Sequence, residues 1–593
     1  MANSSSAIIT ALASSLPVSA EIFFLTGIVA HVAIRPFEID SRAWTIFFSY
    51  VGVFASLLVT YIQGCNFTFG QAFFRTWIVA SAFNTGLFGS ILVYRAFLHR
   101  LHRFPGPFAA KLSRFYATKN VVKNLKANED IQRSHQTYED FVRVGPREIS
   151  INRATAISAI YEPPMQLPRS PWYSQVSDDV TKISVNSTRD LTVHKNRKRA
   201  WMRGLGFRVS LTGSNEALAV YEDRIVSKVE LLLARIADHH GTIINMTQYA
   251  VFFGFDVMGQ VGFSKDFGML DSGYKHPAIQ GLHDNMTAVG ILGTVPWLMS
   301  MLSKIPGATG TYARFTDWCG KELQAKRIVS TTLLDVVNFF IDRLQVVESE
   351  KEIFKDQDPR DVISWLIRAE DENDRSAPPG EGAFQEDSRL MIIAGSDTTS
   401  VALTNADQYR RLFYLTKHPD IYHKLQELVQ AEFPGGEKEW TYERVKAIHF
   451  LDYIIYETLR LKPSVPAGLT RLTPPTGIQI DEVFIPGDTI VSVPAYTIHR
   501  DPRYWENALD FRPERWETLN PEKAPWIPFS RGQFSCPGRN LAFLELRMVL
   551  SRIALRYNLA FPAGADGERF DREAKDTFTL NVPELPIIFT SIN

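Results

Sequence analysis

The stretch Phe529-Ser-Arg-Gly-Gln-Phe-Ser-Cys536-Pro-Gly538 sets one cysteine in a glycine-bounded loop directly ahead of a helical pattern, Arg539 to Tyr557. The run Asn540-Leu-Ala-Phe-Leu-Glu-Leu-Arg-Met-Val-Leu550 is apolar at helical spacing. Cys536 is therefore expected near a helix N-terminus, where unpaired backbone N–H groups favour an anionic sulfur. Gly532 and Gly538 let the backbone turn tightly and approach a flat ligand. A thiolate so placed has the chemistry of an iron ligand. A cysteine taken alone is more often a buried structural thiol, so the reading rests on its surroundings.

Three further patterns precede the loop: Ala394-Gly395-Ser396-Asp397-Thr398-Thr399, Glu457-Thr-Leu-Arg460 and Phe511-Arg-Pro-Glu-Arg515-Trp516. Singly they read as a threonine pair in a helix, an i,i+3 salt bridge and a charged turn. In this order, ahead of the cysteine loop, they resemble the cytochrome P450 superfamily, whose patterns are [A/G]-G-x-[D/E]-T-[T/S], E-x-x-R, P-E-R-[F/W] and F-x-x-G-x-[R/H]-x-C-x-G. Phe529, Gly532, Cys536 and Gly538 are in register with the last of these. One position departs: Phe534 stands where a basic residue usually reaches a haem propionate. Other cations must then neutralise the propionates.

The resemblance implies a mainly α (α+β) helical domain with small β-sheets, preceded by N-terminal transmembrane helices. It implies haem b with Cys536 as its iron ligand, the thiolate pushing electron density onto the metal and favouring O–O cleavage. Asp397 and Thr398 take the proton-delivery role, with Thr398 in a locally opened helix, and Ala394 and Gly395 leave room for oxygen. Glu457, Arg460 and Arg515 brace the cysteine loop as a buried charged network. Arg471, in Leu469-Thr-Arg471-Leu472, matches a propionate-binding position. His194 and Lys198, in His194-Lys-Asn-Arg-Lys198-Arg199-Ala-Trp201, match the basic helix with the same task; a lone surface cation is otherwise a solvated charge. Ile393, Ala394, Pro466, Leu469 and Phe578 are expected to line an apolar pocket for a lipophilic ligand.

Composition agrees with a large enzyme carrying membrane segments: 593 residues, 45% hydrophobic and 12% aromatic. A formal net charge of zero gives no sign of a nucleic-acid partner. Cys65, Cys319 and Cys536 are scattered and odd in number, which excludes a disulfide framework and suits a reducing compartment.

The first hundred residues are different material. Trp44–Ile62 is 19 residues without a charge and Trp77–Tyr94 is 18 more, both long enough to cross hydrocarbon. A weaker third candidate lies around Ile22–Ile34, with His31 inside it. No positively charged segment of a cleavable signal precedes it. Arg35 and Arg42 flank the first loop, and Arg95, His99, Arg100, His102 and Arg103 crowd the exit of the last span, which puts both on the cytoplasmic side. Three spans leave the N-terminus and residues 63–76 in the lumen, with glycosylation patterns at Asn3 and Asn66; two spans leave the N-terminus cytoplasmic. Phe104-Pro-Gly-Pro-Phe108 stops the last helix and resembles the hinge of microsomal members. The expected division is a membrane anchor over 1–103, with two to three transmembrane helices, and a catalytic domain over 104–593, in the endoplasmic reticulum membrane.

Within the domain, Ser388–Leu403 reads as a buried helix, Leu451–Leu461 as an amphipathic one, and Thr476–Val493 as a hairpin turning at Ile485-Pro-Gly-Asp488. Segments 205–214, 328–337 and 406–411 look inserted against the family pattern. The favoured function is a monooxygenase acting on a lipophilic small molecule of fungal secondary metabolism, such as an alkaloid or terpenoid. No dinucleotide or flavin fingerprint occurs, so an NADPH-cytochrome P450 reductase, with cytochrome b5, is the expected electron source. The alternatives are an oxygen-independent isomerase or dehydratase, which needs neither Asp397 nor Thr398, and an inactive membrane scaffold, which Phe534 and the apparent insertions would suit.

Overall fold

The structure is a computed structural model that describes residues 15–175, 179–205, 216–308, 310–343, 359–404 and 409–592. Asn3, most of the apparent insertion at 205–214, and residues 406–408 lie outside the described residues. So do the side chains of Asp397 and of residues 330–343 and 409–412, whose backbone is helical.

Three apolar helices open the chain: α1 (Leu16–Ile34), α2 (Ala43–Val59) and α3 (Phe69–Val93). With the helical turns Thr60–Gly64 and Tyr94–Leu98 that continue α2 and α3, all three are long and apolar enough to cross a membrane. The weak third candidate is thus a helix of 19 residues, beginning at Leu16. Its polar residues are accommodated by α3: His31 Nδ1 lies 2.8 Å from Ser90 Oγ. Glycines allow the approach. A Cβ on Gly27 would collide with the Phe83 carbonyl, and one on Gly86 with that of Phe24. α2 packs more loosely, tied by Asn84 Nδ2 donating to Tyr50 Oη at 2.8 Å.

The rest of the described chain is mostly helical with small sheets. At its centre the helix Met246–Phe263, apolar on every side and buried along most of its length, crosses Glu381–Thr404. This crossing explains Gly395: a Cβ there would run into Met258. Its missing side chain serves helix packing, where the sequence suggested room for oxygen.

A four-stranded sheet flanks this helical core. Phe141–Gly145 pairs antiparallel with Glu148–Ile151, which runs parallel to Ile490–Ser492, which in turn pairs antiparallel with Arg471–Leu472. Ile149, Ile151, Ile157, Ile160, Val491 and Val493 form a second core beneath it. The predicted hairpin exists as Ile478–Ile480 against Val483–Ile485, but it turns at Asp481–Glu482. Ile485-Pro-Gly-Asp488 instead leads into the four-stranded sheet, because Gly487 must pass against the Pro475 carbonyl where no Cβ fits.

Candidate active site

The cysteine loop is shaped by two local requirements. Gly532 has φ +67°, and a Cβ there would collide with the Tyr161 carbonyl, so glycine is needed on both counts. Cys536 N–H donates to the Phe529 carbonyl at 2.8 Å, closing the loop immediately before helix Arg539–Arg556. A Cβ on Gly538 would stand 3.9 Å from Cys536 Sγ, so this side of the sulfur is left uncrowded. Cys536 is accessible although protein crowds around it. Burial pushes its thiol up, while the backbone N–H groups of Gly538 and Arg539 and the cation Lys198 pull it down. The sequence expectation of a favoured anion is met by those donors but opposed by burial.

Glu457 and Arg460 are fully buried and paired twice, Arg460 Nε to Glu457 Oε2 at 2.9 Å and Nη2 to Oε1 at 2.8 Å. Arg515 Nε adds a bond to Oε1 at 3.0 Å and Trp516 Nε1 one to Oε2 at 3.0 Å. Arg460 Nη1 donates to the carbonyls of His499 and Ala508, both at 2.7 Å. His499 completes the link: its Nδ1 donates to the Arg460 carbonyl at 3.1 Å and its Nε2 accepts from Ile527 N–H at 2.9 Å. The E-x-x-R helix is thereby bonded to the segment that runs into the cysteine loop.

Thr398 lies in the helix Glu381–Thr404, which is α-helical throughout, without the opened turn expected. Its hydroxyl donates back to the Ala394 carbonyl, and this local bond keeps the turn closed. Ile393 is half-buried against the main core.

A group of cations gathers around Phe534. The guanidinium carbons of Arg169 and Arg471 stand 4.3 and 4.8 Å from its ring centre, and the His194 ring 4.4 Å away. Arg169 and Arg471 are also joined by a β-bridge. Both arginines are buried, with Arg169 Nε and Arg471 Nε and Nη2 unpartnered and no carboxylate bonded to either among the described residues. Burial pushes Arg169 down to about 9, and burial together with Arg169 and Lys198 pushes His194 down to about 2, leaving Arg169 charged and the imidazole neutral at pH 7. Lys198 Nζ donates to the carbonyls of Gln533 and Ser535 at 2.8 and 2.7 Å, so it grips the cysteine loop itself.

The family model for cytochrome P450 matches residues 112–589. The chain belongs to the cytochrome P450 family. It is 48% identical over 304 residues to the cytochrome P450 monooxygenase eupD of Phoma sp, covering 51% of this chain and 99% of that protein. Over 583 residues it is 32% identical to the cytochrome P450 monooxygenase FCK2 of Fusarium pseudograminearum, covering 97% and 98% of the two chains. A third relative, the cytochrome P450 monooxygenase phqL of Penicillium fellutanum, is 30% identical over 586 residues, 96% of this chain and 94% of its own. This cytochrome P450 is accordingly a monooxygenase, an oxidoreductase with a haem-thiolate cofactor.

The residues present fit that cofactor. Two buried guanidiniums without a counter-charge are costly unless an anion lies against them, and haem carries two propionates. The reachable Cys536 sulfur supplies the thiolate. Arg169 is the residue that sequence reasoning missed in this P450. Nothing local marks it, since it meets Phe534 only through the fold; the signal available was the departure at Phe534 itself.

A cavity of about 230 Å³ lies between the four-stranded sheet, the N-terminal helices of the domain and the segment Val289–Thr294. Ala467, Gly468 and Phe578 are among its walls, whereas Ile393, Ala394, Pro466 and Leu469 are not. Phe578 stacks on Trp172 at 5.6 Å with planes 10° apart. Phe578 thus lies in the cavity wall, immediately before the strand Thr579–Asn581 that contacts the helix carrying Thr398.

Proposed function

We propose that this cytochrome P450 inserts one atom of dioxygen into a lipophilic small molecule of fungal secondary metabolism, with haem b ligated by Cys536. The observation that carries the reading is the accessible Cys536 on a loop gripped by Lys198 and braced through Glu457, Arg460 and Arg515. Bound haem supplies dioxygen activation and the oxidising power for C–H insertion. The chain supplies placement. Arg169 and Arg471 receive the propionates, while His194, neutral and unpartnered at Nδ1, offers a further donor. Thr398 Oγ1, its hydrogen committed to the Ala394 carbonyl, presents lone pairs that accept a hydrogen bond from a water, and Asp397 takes the role of proton supply. Ala394 leaves space beside this turn. Apolar walls, Phe578 and Trp172 among them, select a lipophilic substrate.

Electrons are drawn from an NADPH-cytochrome P450 reductase, with cytochrome b5 as a second donor. Residues 1–103 anchor the protein in the endoplasmic reticulum membrane and residues 104–593 form the catalytic domain on the cytoplasmic face. The contact of the α1–α2 loop with the domain supports that orientation, since it puts the loop and the exit of α3 on one side. The test is the carbon-monoxide difference spectrum of dithionite-reduced membranes bearing this chain or its Cys536→Ala variant. A red-shifted thiolate band present in the first and lost in the second is expected. Folded protein without a haem band would refute the assignment.

A further inference from the structure

In the loop between α1 and α2 one acidic residue pairs with the catalytic domain. Glu38 accepts from Arg189 at 3.0 Å and 3.4 Å, using both carboxylate oxygens, and lies 3.8 Å from Arg147. Arg189 does not stop there. Its Nε donates to the Arg169 carbonyl at 3.2 Å and its Nη1 to Ser174 Oγ at 3.2 Å. The segment held at both ends in this way, Arg169–Ser174, carries Arg169 against Phe534 at one end and Trp172 in the cavity wall. Trp172 joins the second wall as well, because its Nε1 donates to the Gly293 carbonyl at 2.8 Å. Beyond Gly293, helix Pro296–Ser303 packs against α2 and the turn Asp40–Arg42. Both segments that wall the cavity therefore rest on the anchor.

We infer that Glu38 is a positioning residue: through Arg189 it latches segment 169–174, so that the membrane anchor sets how readily a ligand passes the Trp172 wall. The inference rests on the haem-thiolate reading only for one of its two readouts. Arg189 touches both the anchor loop and the segment, so removing the Glu38 carboxylate releases Arg189 without altering any wall residue. An ion pair with side chains 27% and 40% exposed is worth a small shift, which sets the expected effect at about two- to fourfold.

The experiment uses the full chain in phosphatidylcholine nanodiscs, with 4-phenylimidazole as the probe that reports arrival at the iron by its absorbance shift. Glu38→Ala is expected to keep the carbon-monoxide band, to raise the association rate of the probe about two- to fourfold, and to speed amide hydrogen exchange at Tyr173. Salt gives a readout that a general loss of packing does not: raising ionic strength should accelerate association to the native protein and leave Glu38→Ala unchanged. Trp172→Ala calibrates the assay. If it speeds association while Glu38→Ala has no effect on rate or exchange, the latch is refuted; if neither variant changes the rate, the probe does not pass this wall and the inference falls too. A native chain without any haem band would overturn the haem reading, and exchange at Tyr173 would still decide the latch.

Discussion

Phe534 shows how a departure at one position is absorbed by its neighbours. Its ring fills the space of the usual cation and is flanked by two guanidiniums, an arrangement worth about 0.5–2 kcal/mol per cation–π contact when desolvated. Arg169→Ala should accelerate haem transfer to apomyoglobin at least tenfold, and Arg169→Lys should recover part of the loss. Phe534→Arg alone sets a third cation between two others and should weaken haem retention, whereas in the Arg169→Ala background it should restore it. If Arg169→Ala leaves haem retention unchanged, the propionates are held elsewhere. At Glu457 the stake is larger: Glu457→Gln leaves Arg460 and Arg515 buried without their counter-charge, at about 3–5 kcal/mol. The expected outcome is chain that accumulates without haem, measured as the ratio of haem absorbance to protein. These residues differ in how far they could be read beforehand. Glu457 and Arg460 are three apart on one helix, and Cys536 is flagged by its neighbours, so spacing alone indicates them. Arg169 and Phe534 are 365 positions apart in sequence, and the β-bridge between Arg169 and Arg471 that helps bring them into contact is encoded by no local pattern.

At the scale of elements, the helix around Gly395 was legible as a buried helix, but its crossing with the helix around Met258 was not. The glycine pattern matches an oxygen pocket equally well, and only the partner helix decides between them. Gly395→Ala should destabilise the domain unless Met258 is shortened as well. The double variant Gly395→Ala with Met258→Ala is expected to recover expression of folded protein, scored by the carbon-monoxide band, beyond the single variant. The hairpin near Ile478 illustrates the opposite limit. Alternation located both strands, yet the Pro-Gly pair that looked like its turn serves the next sheet, because turn residues mark a bend without saying which strands it joins. α1 was the weakest of the three apolar segments since hydropathy counts His31 as a cost, while the fold gives that ring Ser90 as a partner.

For the whole molecule two measurements follow. His499 and His135 are both buried and neutral, held below the ordinary value of 6.5 chiefly by burial. His135 Nδ1 donates to the Glu139 carbonyl at 2.7 Å and Nε2 accepts from Ser150 Oγ at 2.8 Å. In the unfolded chain each takes up a proton below about pH 6.5, and in the folded chain each does so only at lower pH. Stability is therefore full above that value and falls on acidification, by up to about 1.4 kcal/mol per pH unit for each ring. Urea unfolding at pH 7.5 and 5.5, followed by tryptophan fluorescence, should show the midpoint dropping; a rise would contradict the assignment. Topology has its own probe. With three spans, Cys65 lies on the membrane face opposite the catalytic domain, so a membrane-impermeant maleimide should label it in sealed microsomes only after permeabilisation.

The pairing of α1 with α3 also has a temporal side. His31 and Ser90 are 59 residues apart, and a ribosome adding about 5–20 residues each second takes about 3–12 s to cover that distance. Throughout that interval the first helix lacks both its Ser90 partner and the helix that packs against Gly27, while α2 passes between them in the order of synthesis. The helix pair is thus completed only once the third helix has been synthesised.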